Sequence, residues 1–223
     1  FVLKRMDKKK NIPILHKLYG AFIIGIAVTA ASTGFSVYGT IHARQMTTRS
    51  YDIRVDKHVD DISSLNVVLV ADLHLGYSIG CSDMEKMVDR INALNPDVVI
   101  YAGDIFDNDY DALDDPERLV EIMRNVSAAY GSYAVFGNHD VTETLVGGFS
   151  TASRTKAFRD PRMETFLEQA GINIMLDEVT TIADGKINLI GRLDGEKAGD
   201  GTSNRKDLSE LVKRCDMSKP VIV

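Results

Sequence analysis

The residues with the most chemistry in this 223-residue chain stand where apolar runs stop. An apolar, largely β-branched run over residues 67–71 ends in Asp72, and His74 follows two residues later. A second run, residues 98–102, leads into Gly103 and Asp104, with Asp107 three residues on. A third, residues 133–136, leads into Gly137, Asn138, His139 and Asp140. Carboxylates, imidazoles and an amide oxygen in this mixture suit a divalent metal pair.

Elements must bring these tips together. Each run reads as a buried strand, since near-continuous apolar residues mark strands covered on both faces. In an open α/β sheet, ligands collect beyond the carboxyl ends of the strands. Three such strands side by side place Asp72, His74, Asp104, Asn138 and His139 in one crevice.

Helical patterns fill the gaps. Ser82 and Glu85 have the spacing of a capping box, ahead of Met84, Met87, Val88, Ile91 and Leu94, with Pro96 as the stop. Asp115-Pro116 opens a helix whose apolar face is Leu119, Ile122, Met123 and Val126. The acids Asp109, Asp111, Asp114 and Asp115 lack strand-tip placement and read as capping, solvated groups. Residues 141–159 form a long loop of the kind that serves as a lid or binding loop, where Arg154, Lys156 and Arg159 read either as contacts for an anionic substrate or as ordinary solvated charges. Asp160-Pro161 caps a helix bearing Met163, Phe166, Leu167 and Ala170, closed by Gly171. Beyond it the βαβ signal gives way to short strands at 172–175, 179–182 and 187–190, with a turn at Asp184-Gly185. Residues 194–204 read as an exposed loop, 206–214 as a last helix and 220–223 as a strand.

Charge divides the chain. Residues 1–60 hold ten Lys/Arg and four Asp/Glu, whereas residues 61–223 hold sixteen and twenty-eight, within a net charge of −6. Phosphate backbones want clustered Lys/Arg, so the acidic part argues against a nucleic-acid scaffold and for cations. Two cysteines, Cys81 and Cys215, make no disulfide framework and read as free thiols.

Residues 18–41 contain no charged residue. As a helix this window spans ~36 Å at ~1.5 Å per residue, enough for a hydrocarbon core of about 30 Å. Its glycines suit a membrane helix, and Tyr19 and Tyr38 lie near the ends, where aromatic belts sit. A cleaved signal has a shorter apolar region, of roughly 7–15 residues, so an uncleaved span is expected. Lys4, Arg5, Lys8, Lys9, Lys10 and Lys17 precede the window, and Arg44, Arg49, Arg54 and Lys57 come after it. That excess makes residues 1–17 the cytoplasmic segment and puts residues 42–223 outside the cytoplasm. Residues 42–63 read as a polar connector with one short strand at 51–55, where His42 and His58 are solvated. Residues 64–223 form the acidic domain. A chain that begins with Phe1 and stops within an apolar run at Val223 is expected to be a piece of a longer one.

With the motifs assembled, Asp72-x-His74, Gly103-Asp104-x-x-Asp107 and Gly137-Asn138-His139-Asp140 resemble the first three motifs of the calcineurin-like metallophosphoesterase superfamily. The match runs over about residues 65–223. With the apolar helix ahead, the chain is similar to a bacterial membrane-anchored branch, the YkuE-like phosphoesterases. The resemblance implies a four-layer α-β-β-α sandwich. It also implies two divalent ions (Mn, Fe or Zn) that activate a bridging hydroxide to hydrolyse a phosphomonoester, phosphodiester or pyrophosphate. Asp72 and His74 would hold the first metal, Asp104 would bridge, and Asn138 would serve the second. His139 would be the general acid, oriented by Asp107. The substrate is expected to be a phosphate ester, lipid-linked or from the cell envelope among the options. The family completes its metal sites with later histidines, and none of the five histidines here comes after His139. The alternative is therefore a degenerate membrane-anchored metal- or ligand-binding module without turnover. A third reading makes the domain a regulatory appendage of a polytopic membrane protein.

Overall fold

The computed structural model describes residues 8–43, 45–143, 145–146, 149–150, 158–197, 199 and 204–223. It forms two compact units, residues 1–52 and 53–223.

The first unit is built on one helix, α1 (Lys8–Ala43). Its stretch Lys17–Ala43 is long and apolar enough to cross a membrane, and none of it is buried. Leu18, Phe22, Ile24 and Phe35 are all exposed. The helix runs beyond the uncharged window at both ends, because the flanking polar residues tolerate helix as well as coil. The basic residues Lys4, Arg5 and Arg44 lie outside the described residues. His42 stacks on Tyr38, with ring centroids 5.6 Å apart. The strand expected at 51–55 does not form: Tyr51 and Ile53 are exposed and belong to no strand among the described residues.

The second unit alternates strand and helix. In chain order these are β1 (Val67–Val70), α2 (Cys81–Ala93), β2 (Val98–Ala102), α3 (Pro116–Arg124) and β3 (Ser132–Val135). A short antiparallel pair comes next, β4 (Leu145–Val146) and β5 (Phe149–Ser150), then α4 (Pro161–Gln169) and β6 (Ile172–Ile174). The last elements are β7 (Glu178–Ile182), β8 (Ile187–Gly191), α5 (Leu208–Val212) and β9 (Val221–Ile222). β1, β2, β3 and β6 form one parallel sheet in that order. β7 runs antiparallel to β8, and β9 parallel to it.

The strand pattern assigned 172–175 to the short strands beyond the βαβ part. Instead β6 completes the parallel sheet, with Ser132 opposite Ile172 and Ala134 opposite Ile174. A three-residue strand has too little periodicity to reveal its partner, and the long segment before α4 hides a third crossover.

Two cores lie on opposite faces of the parallel sheet. On one side Val99, Tyr101 and Ala134 meet Met84, Met87 and Ile91 of α2, Leu119 and Met123 of α3, and Met163, Phe166 and Leu167 of α4. On the other, Val98, Ile100, Tyr133 and Val135 meet Ile182, Ile187, Leu189 and Ile222 of the second sheet. Helices, parallel sheet and mixed sheet thus make three layers of an α/β sandwich. Of a fourth, α5 is the one helix among the described residues after β8.

The caps explain where the helices begin. Asp115 accepts from the Arg118 amide and Asp160 from the Arg162 amide, each ahead of a first-turn proline. The Ser82 box does not operate. α2 starts at Cys81, with Gly80 as N-cap and no local side-chain cap. The Cys81 amide is met from a distance, by Asp114 Oδ2 at 3.4 Å. Asp109 caps a single 3₁₀ turn at Tyr110–Ala112. Cys81 and Cys215 are both free thiols.

Candidate metal centre

All three tips lie beyond the carboxyl ends of adjacent parallel strands, β1, β2 and β3. The ladder between β1 and β2 continues past the strands: Asp72 N–H donates to Gly103 O at 3.2 Å, His74 N–H to Asp104 O at 3.0 Å, and Leu75 N–H to Ile105 O at 2.8 Å. The third tip is fastened to the second by side chains. Asp104 Oδ1 accepts from the His139 amide at 2.9 Å. Buried Asp140 accepts from the Phe106 amide through one oxygen and the Gly137 amide through the other, both at 2.7 Å. Burial pushes the Asp140 carboxyl up to about 6, against the pull of those two donors.

This approach demands glycine. A Cβ on Gly137 would collide with the Asp104 carboxylate, and one on Gly103 would fall 2.9 Å from the Gly137 amide nitrogen. The tips are also strained. Asp72 (φ +54°), His74 (+47°), Asp104 (+51°) and Asn108 (+59°) all adopt left-handed backbone. Asp, Asn and His tolerate that region better than other non-glycine residues, yet each instance costs about 1–3 kcal/mol. Four in one crevice mark a place where position outweighs local stability.

Asp72, His74 and Asp104 each bring a donor atom to within 4.8 Å of the others, and His74, Asp107 and His139 do the same. The two histidine rings meet edge-on, with centroids 4.9 Å apart. Asn138 is half-buried between Gly137 and His139, both of which contact Asp104. Two carboxylates and an imidazole converging at strand ends fit a divalent metal, with Asp104 placed between the first and third tips.

The nearest polar contacts of the two rings differ from those the resemblance implies, although Asp107 stays within 4.8 Å of both. The resemblance gives Asp107 the task of orienting His139. Here His139 Nδ1 is held by Asn108 Oδ1 at 2.7 Å, while Asp107 Oδ1 lies 3.5 Å from His74 Nδ1. The backbone explains the exchange. Asp107 N–H donates to Leu75 O, which draws it to the first tip, and Asn108 N–H donates to His139 O, which draws it to the third. Asn108 and Asp140 went without roles in the sequence. An Asn directly after the second motif, in a tip needing left-handed backbone, was the available signal.

Among the described residues, other candidates have partners of their own. Arg159 is almost fully buried, pairs with Glu164 at 2.9 Å and lies 3.7 Å over the Phe136 ring, so it supports the third strand end instead of meeting an anion. Arg154 and Lys156, with most of the expected lid, lie outside the described residues. His58 pairs with exposed Asp60. The acidic loop is spent on caps and on the Asp111–Arg162 pair.

The sequence profile of the calcineurin-like phosphoesterases matches residues 65–212. The chain is 31% identical over 163 residues to a transmembrane protein with metallophosphoesterase domain from Danio rerio, covering 68% of this chain and 36% of that protein. It is 25% identical over 150 residues to the uncharacterized metallophosphoesterase YkuE of Bacillus subtilis (strain 168), covering 67% and 49%. Over 96 residues it is 30% identical to the UDP-2,3-diacylglucosamine pyrophosphatase LpxG of Chlamydia trachomatis, covering 41% and 29%. The chain thus spans about a third to a half of the length of the first two of these relatives.

Proposed function

The chain belongs to the calcineurin-like phosphoesterase family, and on that footing we propose that it is a membrane-anchored, metal-dependent phosphoester hydrolase. The convergence of Asp72, His74 and Asp104 within 4.8 Å, beside His139, carries this reading. Asp72 and His74 would hold a first divalent ion (Mn, Fe or Zn), Asp104 would be shared, and Asn138 would offer a neutral oxygen to a second. Bound there, the pair would neutralise the charge of a phosphate ester and lower the pKa of a water, supplying hydroxide as the nucleophile.

The chain's own groups do the rest. His139 stands at the rim of the donor set, where a protonated ring can pass its proton to the leaving oxygen as the P–O bond breaks. Asp140 and the two tip glycines fix its distance from Asp104. The left-handed backbone at Asp72, His74 and Asp104 turns their side chains off the strand ends.

Membrane attachment falls to Lys17–Ala43. The relative in Danio rerio is a transmembrane protein by name, and the LpxG relative acts on a diacylated sugar nucleotide pyrophosphate. A phosphate ester held at a membrane surface is therefore the substrate class we favour. The basic residues on the N-terminal side of the helix support an orientation with the second unit outside the cytoplasm. Alkaline-phosphatase and green-fluorescent reporters fused after Arg54 check that topology: the exported reporter should be active and the cytoplasmic one dark, and the reverse refutes it.

The activity test uses the full chain in detergent, charged with Mn²⁺, against a phosphodiester and a lipid-linked pyrophosphate. Metal-dependent release of product that is lost with Asp104→Asn supports the reading. Tight metal binding with no turnover on any ester would favour the module without catalysis.

A further inference from the structure

Asn108 is among the few buried polar residues of the chain, at 2% exposure, although it directly follows a half-exposed acid in a loop. Three contacts wrap it around the third tip. Its amide N–H donates to His139 O at 3.0 Å, its Oδ1 lies 2.7 Å from His139 Nδ1, and its carbonyl accepts from the Glu143 amide at 3.3 Å. The amide's orientation is fixed from the other side, because Nδ2 donates to Val141 O at 3.3 Å. Oxygen therefore faces the imidazole. A carbonyl oxygen only accepts, so Nδ1 must carry the hydrogen, and Nε2 is left as the atom through which His139 meets a substrate.

Asp107 is placed differently. Its oxygen is 3.5 Å from His74 Nδ1, which leaves His74 Nε2 for an ion. Imidazoles that bind metals are commonly held this way, through the other ring nitrogen, by a carboxylate.

We propose that the two adjacent residues divide the work: Asn108 is the positioning residue of His139, and Asp107 the positioning residue of His74. The proposal rests on the phosphoesterase reading only for what His139 and His74 do, not for which partner each has. A neutral amide suits a ring that must pass through a charged state, since it orients without pairing. A carboxylate suits a ring whose ion it helps to bind.

The partner of each ring is read without turnover. The full chain is prepared metal-free in detergent with ¹⁵N-labelled histidine, and the His139 signals are identified by their loss in His139→Gln. Asn108→Gly keeps the left-handed backbone and the N–H to His139 O while deleting the amide. The expected result is loss of the Nδ1–H tautomer signature of His139 in Asn108→Gly. Asn108→Asp, which also tolerates the backbone and restores an acceptor, should return it. Mn²⁺ titration should show Asp107→Asn binding roughly 10-fold or more weakly, while Asn108→Gly stays within about 3-fold of the parent. A His139 signature unchanged in Asn108→Gly but lost in Asp107→Asn would overturn the division and return Asp107 to His139. Equal Mn²⁺ losses in both variants would do so too. Absence of hydrolysis by the parent chain counts against the phosphoesterase reading and leaves these readouts intact.

Discussion

At the scale of single residues, the proposed roles separate groups that would hold ions from a group that would move a proton. Asp104 touches both the first and third tips, so its loss should be felt by every bound ion. His139 converges with His74 and Asp107, whereas Asp72 and Asp104 converge with His74 in a separate set that does not include it. Asp104→Asn should therefore lower metal content and activity together. His139→Ala should retain at least most of the metal and lower turnover by about 10²–10⁴-fold, the usual contribution of a general acid. Elemental analysis beside phosphodiester assays distinguishes the two, and equal metal loss would erase the separation. The donors were legible because aspartate and histidine directly after apolar runs are conspicuous. Asn108 was not, because one more polar residue in a tip resembles any turn former until the fold shows it buried against His139.

At the scale of elements, the strand tips are held by contacts between neighbouring crossovers. Asp140 is the strap from the third tip to the second. Asp140→Ala would leave the buried Phe106 amide and the half-buried Gly137 amide without this partner, at about 1–3 kcal/mol for the buried one and less for the other. The melting temperature should drop by several degrees, with the metal site loosened in step. Thermal denaturation gives the first number and Mn²⁺ titration the second. A variant as stable as the parent would show that relaxation supplies other partners.

The start of α4 gives a pH-dependent counterpart. Arg162 donates to Asp160 and to Asp111, and these bonds hold both carboxyls below their ordinary value of 3.8. A carboxyl whose folded pKa is lowered stabilises the fold above its unfolded pKa and loses that contribution as the pH falls through the folded one. The melting-temperature gap between the parent and Arg162→Met should thus narrow between about pH 5 and pH 3. A gap that is flat with pH would mean that stacking on Tyr110, 4.6 Å from the guanidinium carbon, is what the side chain contributes.

Local signals gave the proline-backed caps at Asp115 and Asp160 and the apolar faces of three helices. They failed at α2, whose first amide is met by Asp114 from the next crossover, and at β6, whose place depends on pairing with β3. Neither partner is near in sequence, so neither leaves a mark on the local pattern.

At the scale of the whole chain, the donors are unequally divided. In the proposed site a first ion would have two carboxylates and an imidazole, whose donor atoms lie within 4.8 Å of one another. A second would have only the shared Asp104 and the Asn138 oxygen, since no histidine of this chain follows His139. Affinity rises with the number and charge of ligands, so the two sites should differ widely. This chain is predicted to bind about one Mn²⁺ tightly, with a second ion only at much higher concentration. Because the tight ion binds the folded state, it should raise stability by about 2.7 kcal/mol at a free concentration 100-fold above its dissociation constant. The melting temperature should then rise with the logarithm of Mn²⁺ in one phase, and His74→Ala should abolish the rise. Equilibrium dialysis that finds two tightly held ions per chain would mean that residues beyond Asp72, His74, Asp104 and Asn138 complete the second site. Acids such as Glu143, whose Oε1 is buried with no hydrogen-bond partner among the described residues although Oε2 meets Lys197 at 2.7 Å, would then be the first to substitute.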